Sequence, residues 1–367
     1  MDERRSRKFA GRRRDADGQD GARLGVLLVN TGTPKEPTPR AVKRYLSRFL
    51  MDPRVRPMNR FAWWFILHFA ILPKRAVSSA EKYRLIWTDE GSPLDVAHRK
   101  LADGLSSYYL ERGVDVAVSY AMNYSAPSVL DGIRALASQG VDEIVVLPMY
   151  PQTAFSTTGS VRDAVKRAVR RSRFRGGVSV VDGYHENSVY VKAVAASIRH
   201  AGFDVDSDDR LFFSYHSIPL TDIEAGDTYE LQTGATSLAI ANELGLDRRR
   251  WTVGYQCRFD KDRSWLAPFT RATLESWARS ASDARVFLVC PNFAVDCLET
   301  LYDVEYELKP AYLEERARSL GSSCVSSDME DTFVYVPCLN KSRAHLRVLV
   351  SVLAPYVHDF DEEGDLR

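Results

Sequence analysis

The chain has 367 residues, 45% apolar and 27% charged, which suits two folded domains and excludes a disordered chain. Its formal net charge of +1 hides an Arg-rich start: residues 1–23 carry eight Lys/Arg against five Asp/Glu, leaving 42 basic and 44 acidic residues beyond. The body is therefore near neutral and has no Lys/Arg stripe of the kind that tracks nucleic acid, so no nucleic-acid partner is expected.

Residues 1–22 hold Arg4-Arg5-Ser6-Arg7-Lys8 and Arg12-Arg13-Arg14 but no apolar stretch after them, and read as a disordered basic tail rather than an export signal. Beyond it, short β-branched runs alternate with helical stretches, the pattern of βαβ units with buried parallel strands. Four runs, Leu24–Asn30, Asp115–Ala121, Glu143–Met149 and Val178–Asp182, fall in the first half, and four, Arg210–His216, Trp251–Cys257, Arg285–Cys290 and Phe333–Pro337, in the second. The fold class is thus α/β, with two similar Rossmann-like domains, each a four-stranded parallel sheet flanked by helices. The boundaries are expected at 23–183 and 184–367, the second domain ending in a helix.

Strands one and two are separated by about 91 residues in the first half and about 41 in the second, so some fifty residues are inserted there, centred on about 50–90. The insert carries Phe61–Leu72, a run in which His68 is the only polar residue, followed by Pro73-Lys74-Arg75. It is too short to span a bilayer. Either it is a buried core helix, or it is a hydrophobic lip that dips into a membrane surface while Lys74 and Arg75 meet headgroups.

Ligands of open parallel sheets bind beyond the carboxyl ends of the strands, so the strand exits are where chemistry should gather. His216 ends one strand just before Ser217-Ile218-Pro219, and a structural role is open to it as well as a catalytic one. After the strand ending at Cys290, a helix is expected near Asp296, with Glu299, Asp303 and Glu307 at i, i+4 and i+8 on one face. Asp296 and Glu299 could form a capping box, yet like charges at that spacing carry a cost, so a proton or cation path is a rival reading. Tyr150-Pro151-Gln152 and Ser156–Ser160 close another strand and would either cap a helix or cradle an anion. Ser92-Pro93 reads as a helix start. Walker, G-x-G-x-x-G and G-x-S-x-G motifs are missing, which argues against nucleotide-binding and hydrolase readings.

Cys257, Cys290, Cys297, Cys324 and Cys338 are odd in number and lack C-x-x-C spacing, as in a reduced cytoplasmic chain without a disulfide framework or zinc site.

Taken together, GVLLVNTGTP, EGSPL, YPQ…STTGS, SYHSIP, QCRF…W and CPNFAVDCLETL resemble the ferrochelatases, from about Leu24 to about Tyr356. The resemblance implies the chelatase-like two-domain fold and insertion of ferrous iron into a porphyrin, the last step of haem synthesis. It implies His216 and Glu299 as the catalytic pair and metal-contacting groups, with Asp303 and Glu307 continuing as a proton or metal path. Tyr150 and Tyr184 would lie on the other side of the macrocycle, also on a proton or metal path, and Tyr83, Ser92, Tyr124, Lys74 and Arg75 would contact the porphyrin. Asn123 stands where some members have arginine, Cys297 where animal members have histidine, and Cys257 departs from a usual serine. The four-cysteine pattern of some members is not recognisable, so no iron–sulfur cluster and no tightly bound cofactor are expected, iron being a substrate. Protoporphyrin IX is the expected porphyrin; coproporphyrin III, a sirohydrochlorin cobaltochelatase and a non-catalytic tetrapyrrole carrier are the alternatives. A cytoplasmic enzyme in peripheral contact with the inner face of the cell membrane is the expected location.

Overall fold

A computed structural model describes residues 23–256, 264–280, 284–321 and 325–357. The basic tail, Cys257, Cys324 and the last ten residues lie outside them.

The first sheet contains β1 (Leu24–Asn30), β2 (Val116–Met122), β3 (Glu143–Pro148) and β4 (Gly177–Val180) in the order β2-β1-β3-β4. The second contains β5 (Arg210–His216), β6 (Trp251–Gln256), β7 (Val286–Val289) and β8 (Phe333–Val336) in the order β6-β5-β7-β8. All pairings are parallel, and the same order occurs twice. The expected strands differ from these only at their ends: Asp115, for example, precedes β2, whose pairing with β1 starts at Val116 opposite Leu24.

Central strands β1 and β7 are buried along their whole length, as strands covered on both faces must be. Leu24, Val26 and Leu28 of β1 belong to the same core as Leu211, Phe213 and Tyr215 of β5, so the two halves are packed together through one apolar interior. The outer faces have separate cores, around Leu27, Val29 and Ile133 in the first half and Phe212, Leu288 and Tyr312 in the second. The boundary we propose at 183/184 lies in the loop between β4 and the helix Ser188–His200. That helix packs on Tyr229–Leu244 of the second half and against the last helix, Arg343–Leu353, which also touches Pro93–Glu111 of the first.

The insert folds as its own small cluster. Val42, Leu46, Leu67, Leu72, Ala76 and Tyr83 pack together, and Leu298 from the second half leans on them. Within Phe61–Leu72 only Leu67 and Leu72 are buried, while Phe61 (79%), Phe65 (60%) and Phe69 (71%) are exposed, with Trp64 and Ile66 beside them. The core-helix alternative is therefore wrong, because this run has one inward stripe and an apolar outer face.

Among the described residues, three stretches are π-helical: Ile66–Ile71, Phe155–Gly159 and Asp303–Leu308. Such i→i+5 turns are rare and concentrate at functional sites. Here one lies in the lip, one holds Ser156 and Thr157 in the main cleft wall, and one continues the helix of Glu299.

Candidate active site

The carboxyl ends of β1, β3, β5 and β7 open into one cleft between the halves, with about 1090 Å³ of empty space including its mouth. Asn30–Thr33 form part of the floor, Tyr45, Phe49, Val55 and Tyr83 come from the insert, and Met149, Tyr150 and Gln152 follow β3. The facing wall holds His216 and Ile218 after β5, then Asn292–Val295, Cys297, Leu298 and Glu299 after β7. Gly32 is in the left-handed region at φ +108, and a Cβ there would come within 2.4 Å of Ser125 Oγ, so the floor tolerates no larger residue.

His216 is held by backbone bonds around it. Ser217 N donates to the Gln256 carbonyl (2.8 Å) and Leu266 N to the Ile218 carbonyl (2.9 Å). The imidazole Nδ1 lies 2.6 Å from the Ser217 carbonyl; since a carbonyl only accepts, Nδ1 carries the proton and Nε2 is the basic nitrogen. Burial pushes the imidazole pKa below its ordinary value, and the Ser217 carbonyl and the field of Asp303 pull it partway back. A neutral, base-competent ring at pH 7 results.

Glu299 lies in the short helix Leu298–Tyr302. That helix begins one residue later than its sequence suggests: Cys297 is the cap, and Thr300 Oγ1 accepts from Cys297 N (2.9 Å). Asp296, expected as the cap, instead clamps the segment from below. Its buried carboxylate accepts from Thr300 Oγ1 (2.9 Å), Tyr335 Oη (2.6 Å) and Asn340 Nδ2 (2.6 Å). Gln256, at the end of β6 beside His216, accepts from Ser214 Oγ (3.1 Å) and donates to the Glu299 carbonyl (3.3 Å). One side chain thus ties the histidine strand to the glutamate helix.

Polar groups on the other wall are neutral donors. Burial raises the Tyr45, Tyr83 and Tyr150 pKa values, and Glu299 adds to the effect on Tyr45 and Tyr83. Tyr150 Oη shares a 2.6 Å bond with Thr31 Oγ1, and Thr33 Oγ1 donates to Ser92 Oγ (2.8 Å). Ser92 does open the helix Pro93–Glu111, but its hydroxyl serves Thr33 and caps nothing. Thr157 Oγ1 accepts from Ala154 N (3.1 Å), so the hydroxyl run after β3 supplies a cap. Burial also raises the Cys297 pKa, which keeps a thiol, not a thiolate, in the wall.

Of the residues singled out from sequence, His216, Glu299, Tyr150, Tyr83 and Ser92 line the cleft together. Tyr184 does not: it is buried edge-on against Tyr190, 5.5 Å away, at a separate small cavity. Tyr124 lies behind Phe49 and donates to Asp52 (3.0 Å). Lys74 and Arg75 sit outside the cleft at the start of the helix Leu72–Ile86. Asp303 and Glu307 follow Glu299 away from the cleft and meet Lys82. They lie on a π-helical stretch, not on the α-helical face expected. Tyr45, Asn292, Gln256, Asp296 and Lys82 were not legible as site residues, since each is brought in by contacts distant in sequence.

A family model described as Ferrochelatase matches residues 23–355. The chain belongs to the ferrochelatase family. It is 37% identical over 328 residues to a ferrochelatase of Haemophilus influenzae, covering 89% of this chain and 96% of that one. It is 42% identical over 320 residues to one of Azoarcus sp., covering 87% and 84%. The solved structure of SirB from Bacillus subtilis with Fe3+ superposes with a TM-score of 0.50 at 11% identity, covering 90% of this chain and 95% of that chain. That likeness concerns the two-domain fold. The enzyme is thus a lyase that inserts iron into a porphyrin for haem synthesis.

Proposed function

We propose that His216 Nε2 takes a pyrrole proton as ferrous iron, a substrate, enters the ring, and that Glu299 passes it on towards Asp303 and Glu307. Insertion forms the metalloporphyrin and releases two protons, so a base beside the ring and an exit for its proton are both required. The observation that carries this reading is the tautomer: Nδ1 is committed to the Ser217 carbonyl, and the histidine shares the cleft wall with Glu299. On the opposite wall Tyr150 would face the macrocycle, and Ser92 and Tyr83 would donate to a propionate. Tyr124 acts through Phe49 and Asp52 as a support, and Tyr184 takes no part. No resident cofactor enters this account.

Protoporphyrin IX is the substrate we favour over coproporphyrin III, because Phe49, Val55, Leu94, Met149 and Leu298 make much of the lining apolar and its vinyls need no polar partner. Supplying Fe(II) with each porphyrin to the purified chain under reducing conditions tests this. Equal or faster turnover of coproporphyrin III would reject the choice.

We further propose that Phe61–Leu72 rests on the inner face of the cell membrane. Among the described residues no helix is long and apolar enough to cross a membrane, so the contact would be peripheral. Phe61, Phe65 and Phe69 offer exposed rings whose burial is worth about 3–6 kcal/mol together, from about 1.5–3 kcal/mol per fully buried side chain scaled by the exposed fraction of each. Replacing all three with serine should therefore abolish flotation with phosphatidylglycerol vesicles, and retained flotation would reject the contact.

A further inference from the structure

Lys82 lies on the helix Leu72–Ile86, which continues from the lip. Its ammonium crosses to the neighbouring helix, 2.6 Å from Glu307 Oε1 and 3.7 Å from Asp303 Oδ1. It also stands 4.5 Å above the Tyr302 ring, which stacks on Tyr306 at 5.1 Å. Two carboxylates and an aromatic face therefore converge on one positive charge.

Two carboxylates four residues apart repel each other, and a cation between them relieves that cost. The relief here comes from the chain itself. A metal ion bridging the two carboxylates would sit between their oxygens, at about 2.0–2.6 Å from each, where the ammonium lies 2.6 and 3.7 Å from the same two side chains, so two positive charges compete for one position.

We propose that Lys82 is a tethered competitor for the metal: a divalent ion occupies Asp303 and Glu307 only by expelling the Lys82 ammonium, so Lys82 sets the affinity threshold for metal access. The inference rests on taking Asp303 and Glu307, proposed above as the proton exit, as a path for the metal as well. Lys82 is 31% exposed and Glu307 44%, so the competition is partly screened, and its removal should tighten metal binding about two- to five-fold.

The test is calorimetric titration of Zn(II) into the full, porphyrin-free chain. Lys82→Met should bind about two- to five-fold more tightly than the native chain, with a matching fall in the KM for metal, and Lys82→Arg should restore native affinity. Unchanged or weaker binding by Lys82→Met, with or without a lower melting temperature, would overturn the proposal. The double variant Asp303→Asn/Glu307→Gln separates the two claims. If it binds Zn(II) as the native chain does, the path reading fails and the proposal with it. If it loses affinity while Lys82→Met gains none, the path stands and the competitor role alone is refuted.

Discussion

Replacing Asp296 with alanine removes the acceptor shared by Thr300, Tyr335 and Asn340. All three donors lie around a carboxylate that is only 5% exposed, so water cannot simply take its place. Each stranded buried donor costs about 1–3 kcal/mol, offset in part because a desolvated charge also disappears. A net loss of about 3–5 kcal/mol follows. The local effect should exceed the global one, since Asp296 holds Leu298–Tyr302, the first turn of a helix that runs on through Asp303–Leu308, and an end turn depends most on its capping partners. Without the clamp, Glu299 loses its fixed orientation towards the cleft. Urea unfolding followed by circular dichroism should show the stability loss as a lower midpoint at unchanged m. Steady-state metal insertion should show a fall in kcat larger than any rise in the porphyrin KM. A variant within about 1 kcal/mol of native stability and with native kcat would refute the clamp.

Two further outcomes concern histidines. His98 and His345 are buried, donate from Nδ1 to the Leu94 and Asn340 carbonyls, and have pKa values lowered by burial to about 4. Below pH 6.5 the unfolded chain protonates them while the folded chain does not, so stability falls as pH drops through that window, by about 2 kcal/mol per histidine between pH 7 and 5. Urea midpoints at the two pH values should record the loss, and His345→Asn should remove about half of it; a flat profile would contradict the burial argument. For His216, whose pKa is also lowered, the acid limb of kcat/KM should fall below pH 6.5, because the base must be neutral; a limb above that value would mean that another group titrates.

The eight strands were legible because strands buried on both faces read as apolar runs, and the repeated exits betrayed the duplication. Their packing into one shared core was not legible, since it depends on which faces of β1 and β5 meet. The lip's composition was plain, but its exposure follows from the helical turn that points Leu67 inward and Phe61, Phe65 and Phe69 outward. π-Helical turns leave no mark in an α-period, so the wider turn that carries Asp303 and Glu307 is not legible in the sequence. Asp296 looked like a cap because its decisive partners, Tyr335 and Asn340, come 39 and 44 residues later. Lys82 meets Glu307 across 225 residues. Tyr184 shows the opposite error, a tyrosine near the right strand whose ring faces Tyr190 and the interior.

The central claim is that His216 is the base for iron insertion, and the most direct measurement is the visible spectrum of protoporphyrin IX with Fe(II) and either the native chain or His216→Ala, under reducing conditions. The account predicts metalloporphyrin formation by the native chain and a loss of at least about 100-fold in the variant, with porphyrin binding retained. Metal insertion by His216→Ala at the native rate would contradict it.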